Sequence, residues 1–303
     1  MVVVGFIGLG QMGRPMALNL AKGPDELIVC ARRTEALAGF SERGVRTTND
    51  VRDLACADVL FLCLPDGETV HDMLLGATGV GRELREGSVV VDTSTISHKA
   101  TLETADALKV RGVAFVDAPV SGMQARAEAG TLTIMCGGSS DVIARIEPLL
   151  RRMGDNILHM GETGAGQLAK LINQLLFDIN AAALAEILPM ASRMGLDAQK
   201  VAAIVNSGTG RSYASEFFLP RILKGSFHDG YPMKHAYKDL VNGAEISAAQ
   251  GIPLPVLAAA TATYQQALLR GYGDLDKGGM IRVFEDLLGV AFRARLLNQD
   301  ETP

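Results

Sequence analysis

The stretch VVVGFIGLGQMGRPMALNL (2–20) decides the fold, and it does so in three parts. Val2 to Ile7 is a short apolar run rich in β-branched residues, the pattern of a buried strand. Gly8, Gly10 and Gly13 follow in GxGxxG spacing, and RPMALNL continues as an amphipathic helix. A lone GxGxxG recurs by chance in glycine-rich chains. One that closes a strand and opens a helix is the arrangement a pyrophosphate needs. The first glycine permits a tight turn, the second lets the backbone approach the phosphates, and the third lets helix and strand pack closely. The helix N-terminus then faces the negative charge. With Leu9, Gln11 and Met12 between the glycines, this loop is expected to hold a dinucleotide.

Working outward, the first half of the chain alternates strands with helices. ELIVCA (26–31), VLFLCL (59–64), SVVVDT (88–93), AFVDAP (114–119) and TLTIMCGG (131–138) are further strand-like runs. Amphipathic stretches such as HKATLETADALKVRG lie between them, giving the βαβ rhythm of a doubly wound parallel sheet. After residue 160 the rhythm stops, and helices are predicted at 165–194, 198–207, 211–225, 234–250, 254–270 and 278–289. The expected fold is α/β: a Rossmann-type dinucleotide-binding domain over 1–162, then an all-α domain over 163–303. A long interdomain helix begins just after GETGAG (161–166).

Composition narrows the function. The chain has 303 residues, 48% hydrophobic and 21% charged, enough for two ordinary domains. A net charge of −5 offers no electrostatic footprint for nucleic acid or an anionic membrane. The four cysteines form no CxxC pair, and Cys30, Cys63 and Cys136 fall in strand-like runs, which favours reduced thiols and a cytoplasmic setting. The N-terminal VVVGFIG reads as a strand and not as a signal peptide. Asp178, Asn180, Glu186 and Pro189 are expected to break the one long apolar stretch short of a membrane span. The five histidines are scattered without metal-ligand spacing, so no metal site is expected. Ser121 lies in VSGM and not GxSxG, which argues against a hydrolase. Asp117 reads as a structural strand-end carboxylate. The aromatic stretch SYASEFF (212–218) either packs between helices or lends Tyr213 or Phe217 to the wall of a cleft.

Which dinucleotide is bound turns on the end of the second strand. A site that prefers NAD places a carboxylate there to bond the ribose 2′-OH. Here the strand ends LIVCARRT, placing Arg32, Arg33 and Thr34 at that edge, with Glu35 beyond them in the next helix. Guanidiniums suit a 2′-phosphate, so NADP is expected in preference to NAD.

The chain also resembles the β-hydroxyacid dehydrogenases, relatives of 3-hydroxyisobutyrate dehydrogenase, tartronate semialdehyde reductase and 6-phosphogluconate dehydrogenase. FIGLGQMGRPMALNL, LCLPD (62–66), VDTSTIS (91–97), DAPVSGMQARAEAGTLTIMCGG (117–138), GAGQLAKLINQ (164–174) and KDL (238–240) carry the resemblance in order. It implies that the loop from Gly8 to Gly13, with Arg32, Arg33, Thr34, Leu64, Pro65 and Thr95, contacts the cofactor. Ser121 and Gly122 would hold a substrate carboxylate, with Met123 beside them. Lys170 would be the general acid/base, with Asn173 and Gln174 orienting substrate or lysine, and Lys238 and Asp239 would close the cleft from the helical domain. Four positions depart from the family pattern. Met123 stands in SGM where SGG is common, His98 where a proline is usual, Asp66 where an asparagine is usual, and Gln174 replaces the second asparagine of an NN pair.

Read alone, Lys170, with Gln167, Asn173 and Gln174 around it and the last two at helical spacing, is either a solvated edge or a site. Beside the other motifs it reads as a site. Interconverting an alcohol and a carbonyl needs a hydride at carbon, which a nicotinamide supplies, and a proton at oxygen. A lysine near the start of an apolar helix can give that proton once its surroundings lower its pKa. The expected activity is NADP-dependent interconversion of a small β-hydroxy acid and its semialdehyde, such as tartronate or succinic semialdehyde, glyoxylate or the 3-hydroxyisobutyrate couple. An imine reductase, or a cofactor-binding sensor or scaffold without turnover, are the alternatives. Apolar helices such as 252–269 suggest a homodimer or homotetramer.

Overall fold

The computed structural model describes residues 2–294. Among them are nine strands: β1 (Val3–Ile7), β2 (Glu26–Cys30), β3 (Arg46–Thr48), β4 (Val59–Leu62), β5 (Val89–Asp92), β6 (Ala114–Asp117), β7 (Val120–Ser121), β8 (Leu132–Gly137) and β9 (Gly154–Gly161). The helices of the first half are α1 (Gly13–Leu20), α2 (Ala38–Ser41), α3 (Gly67–Leu75), α4 (His98–Lys109), α5 (Met123–Ala129) and α6 (Ser140–Leu150). The second half holds α7 (Ala165–Arg193), α8 (Ala198–Ser207), α9 (Tyr213–Lys224), α10 (Met233–Gln250), α11 (Pro255–Leu269) and α12 (Ile281–Leu288). Two compact units result, one ending at Lys170 and the other starting at Leu171.

In the first unit the strands run in the order β3-β2-β1-β4-β5-β6-β8-β7, with β9 on β8. The first six are parallel, while β8 turns antiparallel to β6 and β7. Side chains alternate across a strand, so each strand feeds two cores. Leu27, Val29, Phe6, Phe61 and Val91 pack on one face of the sheet. Ile28, Cys30, Leu60, Leu62 and Val90 pack on the other. This is the doubly wound architecture expected from the sequence. Three strands were not foreseen there: β3, β7 and β9. Each pairs with a single neighbour, and an edge strand needs no continuous apolar run. Most of β9 is accordingly exposed.

The second unit is helical throughout, and its core interleaves alanines of α7 (Ala181, Ala185) with Phe218, Leu240, Leu257 and Tyr264. The helix predicted over 165–194 is seen as one 29-residue helix running through Asp178, Asn180, Glu186 and Pro189. The expectation that these residues keep it short of a membrane span is corrected. By length and composition alone α7 could cross a membrane, yet its one wholly buried carboxylate has polar partners within the unit. Asp178 Oδ1 accepts from the Lys277 ammonium and from the Tyr264 hydroxyl at 3.1 Å. The ammonium also lies 4.4 Å from the centre of the Phe177 ring. Burial pushes the Asp178 carboxyl up to about 6, against the pull of Lys277. Of the two readings of the aromatic stretch, packing is what is seen. Phe177 lies 5.7 Å from Tyr213 and 5.6 Å from Phe218 between their ring centres.

Candidate active site

In a doubly wound sheet the ligand crevice opens at the carboxyl ends of the strands where their order reverses. Here that point lies between β1 and β4, and the loops after them touch, with Cys63 N–H donating to Ile7 O at 2.9 Å. Gly8 has φ +101°, and a Cβ there would fall 2.2 Å from Cys63 O. A Cβ on Gly13 would fall 1.8 Å from Gly8 O, so both positions are closed by the protein itself. At Gly10 a Cβ would meet no atom within 4 Å. The loop is therefore tight where it must turn and open where a pyrophosphate would approach. Its residues fit a dinucleotide.

The loop after β2 is held by Asn49, whose amide donates to Ala31 O at 2.7 Å and accepts from the Thr34 hydroxyl at 3.3 Å. Arg32 and Arg33 are exposed beside it, and Glu35 sits past them in a single turn, Thr34–Ala36. The strand's own carboxylate, Glu26, is at its far end.

The loops after β4 and β5 are bound to each other. Leu64 N–H donates to the Ser94 hydroxyl at 2.8 Å, Ser94 N–H donates to Asp92 Oδ1 at 2.9 Å, and Thr93 Oγ1 donates to Leu62 O at 2.5 Å. Pro65 is exposed and Thr95 is half-buried next to this lacework. Two of the four departures now have physical reasons. Asp66 caps α3, accepting from Thr69 N–H at 2.8 Å. His98 opens α4 behind the cap Ser97, and its ring packs where a Cβ on Gly164 would fall, 2.7 Å away.

Ser121 is half-buried in β7, paired with Thr133 of β8. Gly122 has φ +143°, and Met123 follows at φ +61° with 40% of its surface exposed. Among the described residues Met123 is the one non-glycine at positive φ, a conformation that crowds its Cβ. This strain is the structural mark of SGM in place of SGG.

Lys170 is buried, 8% exposed, near the start of α7. What places it is the docking of that helix's first turn onto β5 and β6. Asp117 accepts from Gly164 N–H at 2.7 Å and from Gln167 N–H at 2.8 Å. Burial raises its carboxyl above the ordinary range, and the amides of Gly164, Gln167 and Gly166 only partly offset that. A helix N-terminus met by a carboxylate is favourable on dipole grounds as well. The expectation of a structural strand-end role for Asp117 is what its contacts describe. The Gln167 side chain, 2% exposed, donates to Ser94 O at 2.8 Å and accepts from Ile96 N–H at 3.2 Å.

Gly8, Gly10, Gly13, Leu64, Thr95 and Lys170 thus all belong to the first unit. Asn173, Gln174 and Lys238 belong to the second. There Asn173 is exposed and Gln174 donates to Asp239 Oδ2 at 3.3 Å. Lys238 is half-buried on α10. Sequence reasoning named Gln167 only as a polar neighbour of Lys170. Its signal was faint: a long amide in the first turn of an apolar helix, with no partner visible in one dimension.

Two family models match the chain, one in each half. The NAD binding domain of 6-phosphogluconate dehydrogenase matches residues 3–161, and the NAD-binding domain of NADP-dependent 3-hydroxyisobutyrate dehydrogenase matches 164–284. The chain belongs to the β-hydroxyacid dehydrogenase family. It is an NAD(P)-dependent oxidoreductase of the 3-hydroxyacid class. Among its relatives, 2-(hydroxymethyl)glutarate dehydrogenase of Eubacterium barkeri is 37% identical, over 96% of this chain and 97% of its own. The 2-hydroxy-3-oxopropionate reductase of Escherichia coli K12 is 33% identical, over 93% and 97%. A solved structure, Psf3 in complex with NADP+ and 2-OPP, superposes with a TM-score of 0.80 at 28% identity, covering 93% of this chain and 99% of that one.

Proposed function

We propose that this dehydrogenase uses NADP to interconvert a primary alcohol and an aldehyde, each one carbon removed from a carboxylate, with Lys170 as the general acid/base. The observation that carries the reading is the buried Lys170, on a helix whose first turn is hydrogen-bonded to the ends of β5 and β6. Those ends lie in the same unit as the open pyrophosphate loop at Gly10. A bound nicotinamide would supply or accept the hydride. The chain's own part is to hold the carbonyl and to give its oxygen a proton, an effect of roughly 10²–10⁴-fold when the acid is well placed. Ser121 offers a hydroxyl and Gly122 a backbone N–H to the substrate carboxylate. Leu64, Pro65 and Thr95 line the cofactor.

NADP over NAD is supported by Arg32 and Arg33, exposed just past the end of β2 whose own carboxylate, Glu26, lies at the other end, and by the NADP+ in the Psf3 complex. The substrate class is supported by the relatives' names. 2-(Hydroxymethyl)glutarate, 3-hydroxyisobutyrate and the reduced form of 2-hydroxy-3-oxopropionate share a hydroxymethyl group on the carbon that bears the carboxylate, and differ in that carbon's third substituent. The free cysteines, Cys30 and Cys136 buried in strands with thiols pushed up to about 11 and about 12, favour a reducing, cytoplasmic setting. A homodimer or homotetramer is favoured by large apolar side chains left exposed on α7, α8 and α11, among them Ile172, Leu176, Ile187, Ile204 and Val256.

The test is nicotinamide absorbance with NADPH and then NADH over a panel of small semialdehydes and keto acids, with Lys170→Ala alongside. Turnover favouring NADPH and falling at least ~10²-fold in the variant is the expected result. Cofactor binding without turnover of any member would overturn the reading in favour of a sensor.

A further inference from the structure

We infer that Gln167 is a positioning residue: its carboxamide clasps the backbone on both sides of Thr95 and so sets the spacing between that loop and the helix carrying Lys170. The inference rests on the proposed function for its catalytic meaning, but its geometry stands alone. The Gln167 amide nitrogen donates to Ser94 O, and its oxygen accepts from Ile96 N–H. A primary amide has one face that donates and one that accepts, and here both are used on one residue's two flanking peptide groups. Gln167 N–H meanwhile donates to Asp117 at the end of β6. One residue therefore ties β5, β6 and α7 together, one helical turn before Lys170. The tie continues outward, because the Ser94 hydroxyl accepts from Leu64 N–H at the end of β4. The loops expected to line the nicotinamide and the helix expected to carry the proton donor share this polar link.

Buried polar links of this kind matter because they cannot be exchanged for water. At 2% exposure, removing the amide leaves a carbonyl and an N–H unsatisfied, so the loop and helix part or shift. A displacement on the order of 1 Å at reacting atoms costs about 10²-fold in rate. Loss of spacing shows in the chemical step more than in binding. This separates it from a merely structural loss, which lowers the amount of folded enzyme and leaves its rate per folded molecule alone.

Two variants make the test. Gln167→Met keeps the length and removes both polar partners. Gln167→Glu keeps the shape and, when protonated, both hydrogen bonds: its O–H can donate to Ser94 O while its carbonyl accepts from Ile96 N–H. When ionised it sets one carboxylate oxygen against Ser94 O, acceptor facing acceptor, while the other still accepts from Ile96 N–H. Burial and the neighbouring Asp117 and Asp92 carboxylates will raise that glutamate's pKa, and His98 packs on the same turn. Rates are therefore taken as ratios to the parent enzyme at each pH.

The expected result is a kcat about 10²-fold lower for Gln167→Met. Its NADPH dissociation constant stays within a few-fold, and the primary isotope effect from C4-deuterated NADPH increases. For Gln167→Glu the kcat ratio should climb as pH falls. A Gln167→Met enzyme with parental kcat and isotope effect, merely melting lower, would overturn the inference while leaving the proposed function intact. So would a Gln167→Glu ratio that is flat with pH. If the parent turns over no panel member, the proposed function fails, and hydrogen exchange decides the clasp by itself. Faster exchange of the Ile96 amide in Gln167→Met upholds it, and unchanged exchange overturns it.

Discussion

Replacing Lys277 by methionine gives the sharpest stability prediction, because the pair it breaks lies wholly inside the helical unit. The Lys277 side chain is 4% exposed and that of Asp178 is fully buried. Removing one partner of a buried ion pair strands the other charge, at a cost of about 3–5 kcal/mol. At roughly 1.6 °C per kcal/mol for a chain of this length, Lys277→Met should melt about 5–8 °C lower near neutral pH. The double change Asp178→Leu with Lys277→Met removes both charges together and should recover most of that loss, since apolar replacements of buried pairs are often neutral or better. The pH dependence carries a definite sign. Burial raises the Asp178 carboxyl from 3.8 to about 6, so the folded chain holds that proton more tightly than the unfolded one. Its contribution is fully present below pH 3.8 and is lost as pH rises through about 6, a difference of about 3 kcal/mol. In Lys277→Met the carboxyl rises further, so this variant should regain stability on mild acidification. The double variant should lack this group's slope altogether. Thermal melts by circular dichroism across that range, with exchange of α7 and α11 amides to place the effect, are the assay. A Lys277→Met protein that melts with its parent, or a double variant with the parental slope, would refute the electrostatic account.

Three further outcomes are expected. Arg32→Ala with Arg33→Ala should raise KM for NADPH by roughly 10- to 100-fold, the worth of a charged hydrogen bond or two, and leave KM for NADH nearly unchanged in steady-state assays. Met123→Gly should relieve a left-handed backbone cost of ~1–2 kcal/mol against a chain-entropy cost of ~0.5–1 kcal/mol. A Tm equal to or slightly above the parent's, with an altered KM for substrate, is the result to look for. Ile187→Glu with Val256→Glu should lower the mass seen by analytical ultracentrifugation if those exposed apolar faces meet a second copy.

Much of the fold could be read from the sequence because its signals are local. A strand buried on both faces must be apolar along its length, as Leu27 to Cys30 are, and the glycine spacing follows from contacts at Gly8 and Gly13. Edge strands such as β9 escaped notice because exposure removes the apolar demand. Lys170 and Arg32 could be named as candidates because a motif and a strand end mark them. The candidate site was not legible where a role depends on which loop lies opposite. Gln167 looks like any polar residue in a helix until Ser94 and Ile96, more than seventy positions away in sequence, are brought against it. Asp178 likewise read as a break in an apolar helix, because its partner Lys277 lies 99 residues on.

The open space at Gly10 separates two kinds of selection that usually act together. Side chains at Gly8 and Gly13 collide with the chain's own carbonyls, so substitutions there would be removed for misfolding before any ligand is met. At Gly10 the fold has no objection, and only a bound phosphate would notice the added methyl. If Gly10 is where the pyrophosphate lies, an alanine there would give a protein made at full abundance and correctly folded, yet deaf to its cofactor. In a cell such a chain would report what the scaffold does by its presence alone, apart from what it does by turning over.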